Sequence, residues 1–404
     1  LPYTRDAQKE ENVGWNKVAV VGAGMTEFGE LFDAGLEQLC AEAFYAAVES
    51  VDNGVDLDLV DAAYFGNVMG SLQGNEIPSG ATLASAIGLP GIAATRIENG
   101  CPTGSDAFRQ ACLAVAAGVA DVVAVVGGEK LRERPTKSSL LESGRMGHPF
   151  LSFGGTATTL FAPQVLRHMH EYGTTSEQMA MVAEKNWSHA SLNPKAQRHG
   201  AVSVTEVLNS PMVCDPFHVL DCCPQSDGAA AVIVCAADRA HEFTDTPIYV
   251  AGFGLATDPL YMHEKRLFTG WECTRLAARR AYTMAGIEAD QLDLAEVHDC
   301  FTGVELLNYE DLGLCAEGMA GKAVEVGDTR IGGRIPVNPS GGLIAKGHPI
   351  GATGVAQLVE LYEQLREEAG ARQVNLQHGY GLQHNVGGYS VGISVVTILG
   401  RAYG

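Results

Sequence analysis

Residues 111–128, "ACLAVAAGVADVVAVVGG", are the longest apolar run in the chain, and the breaks in it limit what can form around it. Asp121 and three glycines interrupt the run, so it lacks the unbroken apolar length that a membrane span needs. It reads as a buried helix passing into a buried strand. Phe108, Ala111, Cys112 and Val115 recur on one helical face, Gly118 offers a stop, and 121–129 is β-rich and apolar on both faces. A strand of that kind belongs in a mainly parallel sheet covered by helices.

The alternation continues on both sides. Residues 17–24 predict a buried strand, 35–50 a helix with Leu36, Leu39, Cys40, Ala43, Phe44 and Ala47 at helical spacing, and "DAAYFGNV" a short strand. After "VGAG" the third glycine falls at the wrong spacing for a dinucleotide-binding turn. Residues 130–212 hold charge clusters, aromatics and polar helices such as 175–190, as expected of an insertion over the core, and 226–238 returns to strand. The second half repeats the scheme. "IYVAGFGLAT" reads as a strand with a glycine turn, "ECTRLAARRAYTMAG" as a helix closed by Gly286, and "LDLAEVHDCF" as a strand. A glycine-rich loop then feeds a helix ended by Gly370, and "GISVVTILGR" is a last strand. The expected division is 17–130 plus 205–244 for one half, 131–204 for an inserted loop domain, and 247–404 for the other half.

A net charge of -21 argues against nucleic acid or an anionic membrane as partner. The N-terminal segment lacks the layout of a signal peptide. Ten cysteines without a C-x-x-C suit reduced thiols in the cytoplasm, and no metal site is expected, His168 and His170 being two apart on a helix.

Three places carry chemistry. Cys101, in "ENGCPTGSDAF", lies in a glycine-flanked turn just before a helix, where backbone dipoles favour a thiolate. His348, in "AKGHPIGATG", precedes the main helix of the other half and can act as its base. In "VHDCF", His298 and Cys300 share a strand face while Asp299 points away. If the halves pack about a pseudo-two-fold axis, Cys101 and His348 approach one place.

"NGCPTGSDA", "VHDCFTGVELLNYEDLGL", "VNPSGGLIAKGHPIGATG" and "LQHNVGG", in this order, resemble the thiolase superfamily from about residue 17 to 404. The H-D-C-F motif is similar to that of the sterol-carrier-protein-type and archaeal acetoacetyl-CoA thiolases. The resemblance implies an α/β thiolase fold: two pseudo-equivalent βαβαβαββ halves in five αβαβα layers with an inserted loop domain. It implies Cys101 as the acylated nucleophile, His348 as its proton acceptor, Cys300 as the second acid/base and His298 as the holder of an oxyanion-hole water. Asn385 stands at the C-x-G cysteine position of other thiolases, which leaves Cys300 for that role. Backbone N–H groups of Cys101 and Gly387 would form the other oxyanion hole.

No permanent cofactor is implied, and coenzyme A is the co-substrate. Lys130, Arg132, Arg134 and Lys137 are a basic patch suited to its phosphates. Pro102 and Tyr389 depart from the family pattern and point to an aromatic or branched acyl group such as benzoylsuccinyl. A homodimer and a small zinc-ribbon/OB-fold partner are further implications. The competing readings are a thiolase-like retro-aldol lyase of a 3-hydroxyacyl-CoA and a non-catalytic acyl-CoA or lipid-binding subunit.

Overall fold

The computed structural model describes residues 17–70, 79–133, 135, 155–388 and 391–402. The first half runs β1 (Val18–Met25), α1 (Leu36–Glu49), β2 (Ala62–Gly66), α2 (Gly80–Ala86), β3 (Ala93–Ile97), α3 (Thr103–Ala116) and β4 (Val122–Glu129). Two longer helices, α4 (Ala157–Tyr172) and α5 (Ser176–Ala190), intervene before β5 (Gly228–Ala236). The second half runs β6 (Ile248–Thr257), α6 (Glu272–Ala285), β7 (Leu294–Glu296), α7 (Thr302–Asp311), α8 (Ile350–Leu365), β8 (Tyr380–Gly387) and β9 (Ile393–Gly400). Shorter elements are given by residue range.

The strands form one mixed sheet in the order β3-β2-β4-β5-β1-β6-β9-β8-β7, and five of its eight pairs are antiparallel, which corrects the expectation of a mainly parallel sheet. Its halves match strand for strand. β1 pairs antiparallel with β5, β5 antiparallel with β4, and β4 and β2 continue in parallel to β3. In the second half β6 pairs antiparallel with β9, β9 antiparallel with β8, and β8 is parallel to β7. A parallel bridge from Ala295 to Val337 takes the place of β3. The halves meet where β1 lies antiparallel to β6, through Ala19–Tyr249 and Val20–Ile248. This is the pseudo-two-fold arrangement that the repeated sequence scheme predicts.

α3 and α8 pack in the middle and touch both half-sheets, with Phe108, Ala111, Cys112, Val355, Leu358 and Val359 in one core with Val123, Val232 and Leu399. α1 covers the outer face of the first half, and α6 and α7 that of the second. The two central helices cross at glycines. A Cβ on Gly104 would stand 2.8 Å from the Gly351 carbonyl, and one on Gly354 would stand 2.3 Å from Ser105 Oγ. α8 has no side-chain cap but buries all but two of its residues. At about 1.5–3 kcal/mol per large apolar side chain, burial rather than capping holds it.

Three local expectations are corrected. Gly252 and Gly254 make no turn. They sit inside the ten-residue β6, where a Cβ would strike the carbonyls of Ala281 and Ala277, so their smallness lets α6 lie close. α8 stops at Leu365, short of Gly370, because Glu367 takes the left-handed conformation (φ +64°) while Arg366 pairs with Asp52 and Glu368. β7 ends at Glu296, so His298, Asp299 and Cys300 lie in a loop, not on a strand.

Candidate active site

Cys101 sits in the turn before α3. Gly100 is left-handed (φ +63°), and a Cβ there would stand 2.7 Å from the Gly388 Cα. Asn99 fastens the turn: its N–H donates to Thr103 Oγ1 at 2.7 Å and its amide to Asp106 at 2.9 Å. Gly387, at the end of β8, supplies room, since a Cβ on it would fall 2.6 Å from the Cys101 sulfur. The N–H groups that reach this sulfur are its own and that of Gly388. The dipole argument for a resting thiolate does not hold. Burial pushes the Cys101 thiol up to about 11, against the opposing pull of these two N–H groups.

His348 lies at the start of α8, after Gly347 (φ +119°). Its N–H donates to Ser226 Oγ at 2.9 Å, and its Nδ1 is 2.7 Å from Thr353 Oγ1. The Thr353 hydroxyl donates to the Pro349 carbonyl, so it accepts from the ring. Nδ1 therefore carries the proton and Nε2 is left as the base. His298 is held similarly, with Nδ1 2.8 Å from Asn385 Oδ1 and a buried Nε2 that has no partner among the described residues. Burial lowers the pKa of both imidazoles, His298 to about 4 and His348 well below the ordinary value, with His298 contributing to the latter shift.

The structure brings these groups together. Cys101 Sγ and one ring nitrogen each of His298 and His348 lie within 4.8 Å of one another. The two rings meet edge to face at 5.3 Å. Phe161, from α4 in the inserted segment, stacks on His298 at 6.4 Å. Cys300 is buried beside this group, its thiol pushed well up by burial and by the neighbouring Cys223 and Cys101. Asp299 turns away, as expected, and accepts from the N–H groups of Leu343 and Ile344 and from Asn186. It thus fixes the 342–346 turn that leads to His348.

Sequence reasoning missed several of these residues. Cys223 donates its N–H to the Cys300 carbonyl at 3.0 Å, so Cys300 is not the only extra cysteine at the site. The supports Thr353 and Ser226 and the stacking Phe161 also carried no signal of their own, and Asn385, noted only as standing in place of a cysteine, was not foreseen as the partner of His298.

The basic patch behaves differently from expectation. Lys130 spends its three donors on the Leu31 carbonyl, the buried carboxylate of Asp227 and Glu133, so it ties down a loop. Arg132 pairs with Glu30. Arg134, Lys137 and Tyr389 lie outside the described residues. Among the described residues, no helix is long and apolar enough to cross a membrane.

With sulfur, two bare imidazole nitrogens and a second buried thiol in one place, the site can form an acyl-thioester and move protons around it. Residues 18–238 match the family description "Thiolase, N-terminal domain", and residues 254–401 match "Thiolase C-terminal domain-like". An acetyl-CoA acetyltransferase of Methanothermobacter thermautotrophicus is 44% identical over 95% of this chain and 99% of its own length. The benzoylsuccinyl-CoA thiolase subunit BbsB of Thauera aromatica is 34% identical over 92% of this chain and 95% of its own. The solved Ltp2-ChsH2(DUF35) aldolase superposes with a TM-score of 0.80 at 27% identity, covering 96% of this chain and 98% of that one. The chain belongs to the thiolase family and is an acyltransferase of that family.

Proposed function

We propose that the chain cleaves a 3-oxoacyl-CoA with coenzyme A, or runs the reverse Claisen condensation, through an acyl-Cys101 intermediate. The observation that carries this is the meeting of Cys101, His298 and His348 within 4.8 Å. His348 Nε2 takes the Cys101 proton, and the sulfur attacks the 3-keto carbon. The C2–C3 bond breaks, and its electron pair passes to the thioester enolate. The oxygen charge is met by His348, now protonated, and by a water accepted by His298 Nε2. The N–H groups of Cys101 and Gly387 meet the charge on the tetrahedral intermediate. Cys300 gives its proton to C2, and the C2 fragment leaves as its CoA ester, acetyl-CoA from an unbranched 3-oxoacyl-CoA and succinyl-CoA from benzoylsuccinyl-CoA, which leaves benzoyl on Cys101. The Cys300 thiolate then takes the proton of the incoming CoA thiol, whose sulfur displaces Cys101 from the acyl group.

At rest the pair is a neutral thiol and a neutral imidazole, since burial raises one pKa and lowers the other. Substrate binding, which completes the oxyanion contacts, is what makes the transfer favourable.

We assign an aromatic or branched acyl group, benzoylsuccinyl among the candidates. The 34% identity to a benzoylsuccinyl-CoA thiolase subunit is in keeping with this choice, while the 44% identity to an acetyl-CoA acetyltransferase favours acetoacetyl-CoA. The aldolase likeness favours a retro-aldol reading only at the level of fold, and the presence of Cys101, His298, Cys300 and His348 together opposes it. A homodimer is supported by β3, an edge strand whose residues alternate between exposed and half-buried. A zinc-ribbon/OB-fold partner is in keeping with the two-component name of the aldolase. Ten free cysteines suit the cytoplasm.

The test is mass spectrometry of the protein after incubation with acetoacetyl-CoA and with benzoylsuccinyl-CoA. An acyl adduct on Cys101 is expected from the true substrate. Full thiolysis by Cys101→Ser would refute the mechanism.

A further inference from the structure

Both imidazoles of the site are held in the way that metal-binding histidines usually are. Each ties Nδ1 to an oxygen acceptor, Asn385 Oδ1 for His298 and Thr353 Oγ1 for His348, and so turns an unprotonated Nε2 inward. His298 Nε2 is fully buried and has no partner among the described residues. The Cys101 sulfur lies beside them in a half-buried residue, and one donor atom from each of the three residues lies within 4.8 Å of the others.

We propose that Cys101, His298 and His348 form a reversible inhibitory site for a soft divalent cation, Zn²⁺ above all. The Cys101 S–H bond breaks, its proton goes to solvent, and a sulfur–metal bond forms. The two Nε2 lone pairs complete a three-ligand set, and water fills the fourth, outward position. No oxidant or reductant is needed. Tetrahedral zinc with bonds of about 2.0 Å to nitrogen and about 2.3 Å to sulfur sets its ligands about 3.4–3.6 Å apart. The site therefore closes by roughly an ångström, within reach of side-chain rotation, to reach that spacing. Thiolate plus imidazole selects zinc, cobalt and cadmium over magnesium and calcium, which need oxygen ligands.

Metal occupancy does not depend on the thiolase mechanism, whereas the inhibition rests on Cys101 being the nucleophile. A bound cation would hold the enzyme inactive until a chelating thiol or a zinc-accepting protein removed it.

The experiment titrates the metal-free full-length chain with Co²⁺ under anaerobic conditions. One equivalent should give a thiolate-to-cobalt charge-transfer band with tetrahedral d–d bands, and Zn²⁺ should displace them. Alkylation of Cys101, or Cys101→Ser, should remove the charge-transfer band. Thr353→Val and Asn385→Ala should weaken cobalt binding by about 10–100-fold while keeping the band. Zn²⁺ should abolish thiolysis, and a chelator should restore it. Absence of a sulfur-based band, or its survival in both the alkylated protein and Cys101→Ser, would overturn the site. A cobalt band in a chain that never acylates Cys101 would keep the site and discard the inhibition together with the thiolase mechanism.

Discussion

Asn385 replaces a cysteine of other thiolases, and the structure gives it a definite task. Its Nδ2 donates to Gln357 Oε1 and, at 3.2 Å, to Ser105 Oγ, which turns Oδ1 toward His298 Nδ1 at 2.8 Å. His298 is thereby kept as the tautomer whose Nε2 accepts from the oxyanion water. Asn385→Ala leaves a buried N–H without a partner, a cost of about 1–3 kcal/mol. The ring relieves this by moving its proton to Nε2 or by turning, and either change removes the water's acceptor. Loss of one oxyanion donor lowers kcat by about 10²–10³. KM should change little, because the Asn385 side chain faces His298, Ser105 and Gln357. Asn385→Asp keeps the acceptor but adds a negative charge beside the ring. Gln357 can turn its unpartnered Nε2 toward that carboxylate. An adjacent carboxylate raises a histidine pKa by about 1–3 units. The pKa of His298 would then rise from about 4 to between about 5 and 7. Activity needs the neutral ring, so an acid limb that the wild type lacks should appear as pH falls through that range. Steady-state thiolysis from about pH 5 to 9 reads both effects. Full kcat in Asn385→Ala, or a wild-type pH profile in Asn385→Asp, would refute the assignment.

Gly387→Ala places a methyl group 2.6 Å from the Cys101 sulfur. Overpacking of this kind costs about 1–3 kcal/mol, and a nucleophile displaced by about 1 Å loses about 10²-fold in rate. Unchanged kcat and unchanged alkylation of Cys101 would contradict the packing. His189 is held neutral, accepting from the Ile331 N–H and donating to the Asn338 carbonyl, and burial with nearby Lys185 lowers its pKa to about 3. Below about pH 6.5 the unfolded chain binds this proton first. Wild-type stability should therefore fall by up to about 1.4 kcal/mol per pH unit on this account. In urea unfolding, the gap between wild type and His189→Gln should narrow from neutral pH toward pH 4 or so. A constant gap would mean that His189 is charged in the fold.

The helices and the large buried strands were legible because burial on one face imposes a period on the sequence. The α1 stripe from Leu39 to Ala47 and β4, apolar up to its last residue Glu129, are read directly from it. Cys101 and His348 were legible because glycine-rich turns ahead of helices are poor places for packing residues. Lys130 misled because charge in sequence does not disclose a partner nearly a hundred residues away, and Asp227 is that partner. Cys223 and Phe161 reach the site only through tertiary packing, and neither has a local pattern that marks it. The same holds for the end of β7. Glu296 accepts from Ser340 and Lys346, so the chain leaves the sheet earlier than its apolar pattern suggests.

The pseudo-two-fold creates two equivalent places and the chain uses one. Cys101 and His348 occupy matching positions before α3 and α8. The last residue of β8 is Gly387, which leaves space for the sulfur, and the last residue of β4 is Glu129, which fills the corresponding space. The Glu129 carboxylate is fully buried and takes the N–H groups of Val68, Met69 and Gly351 and the amide of Asn67, all between 2.9 and 3.1 Å. Because Gly351 lies in the first turn of α8, Glu129 caps the helix that follows His348, although burial pushes its carboxyl up to about 7. Glu129→Gln keeps the shape but turns one acceptor into a donor facing two N–H groups. At about 1–3 kcal/mol for each donor left unpaired, roughly 2–6 kcal/mol of stability is at risk. Since the start of α8 sets the His348 ring, the variant should lose kcat although Glu129 lies on the opposite side of the axis from the reacting carbon. A variant with lower stability and wild-type kcat would show that the filled half-site holds up the fold without placing the base.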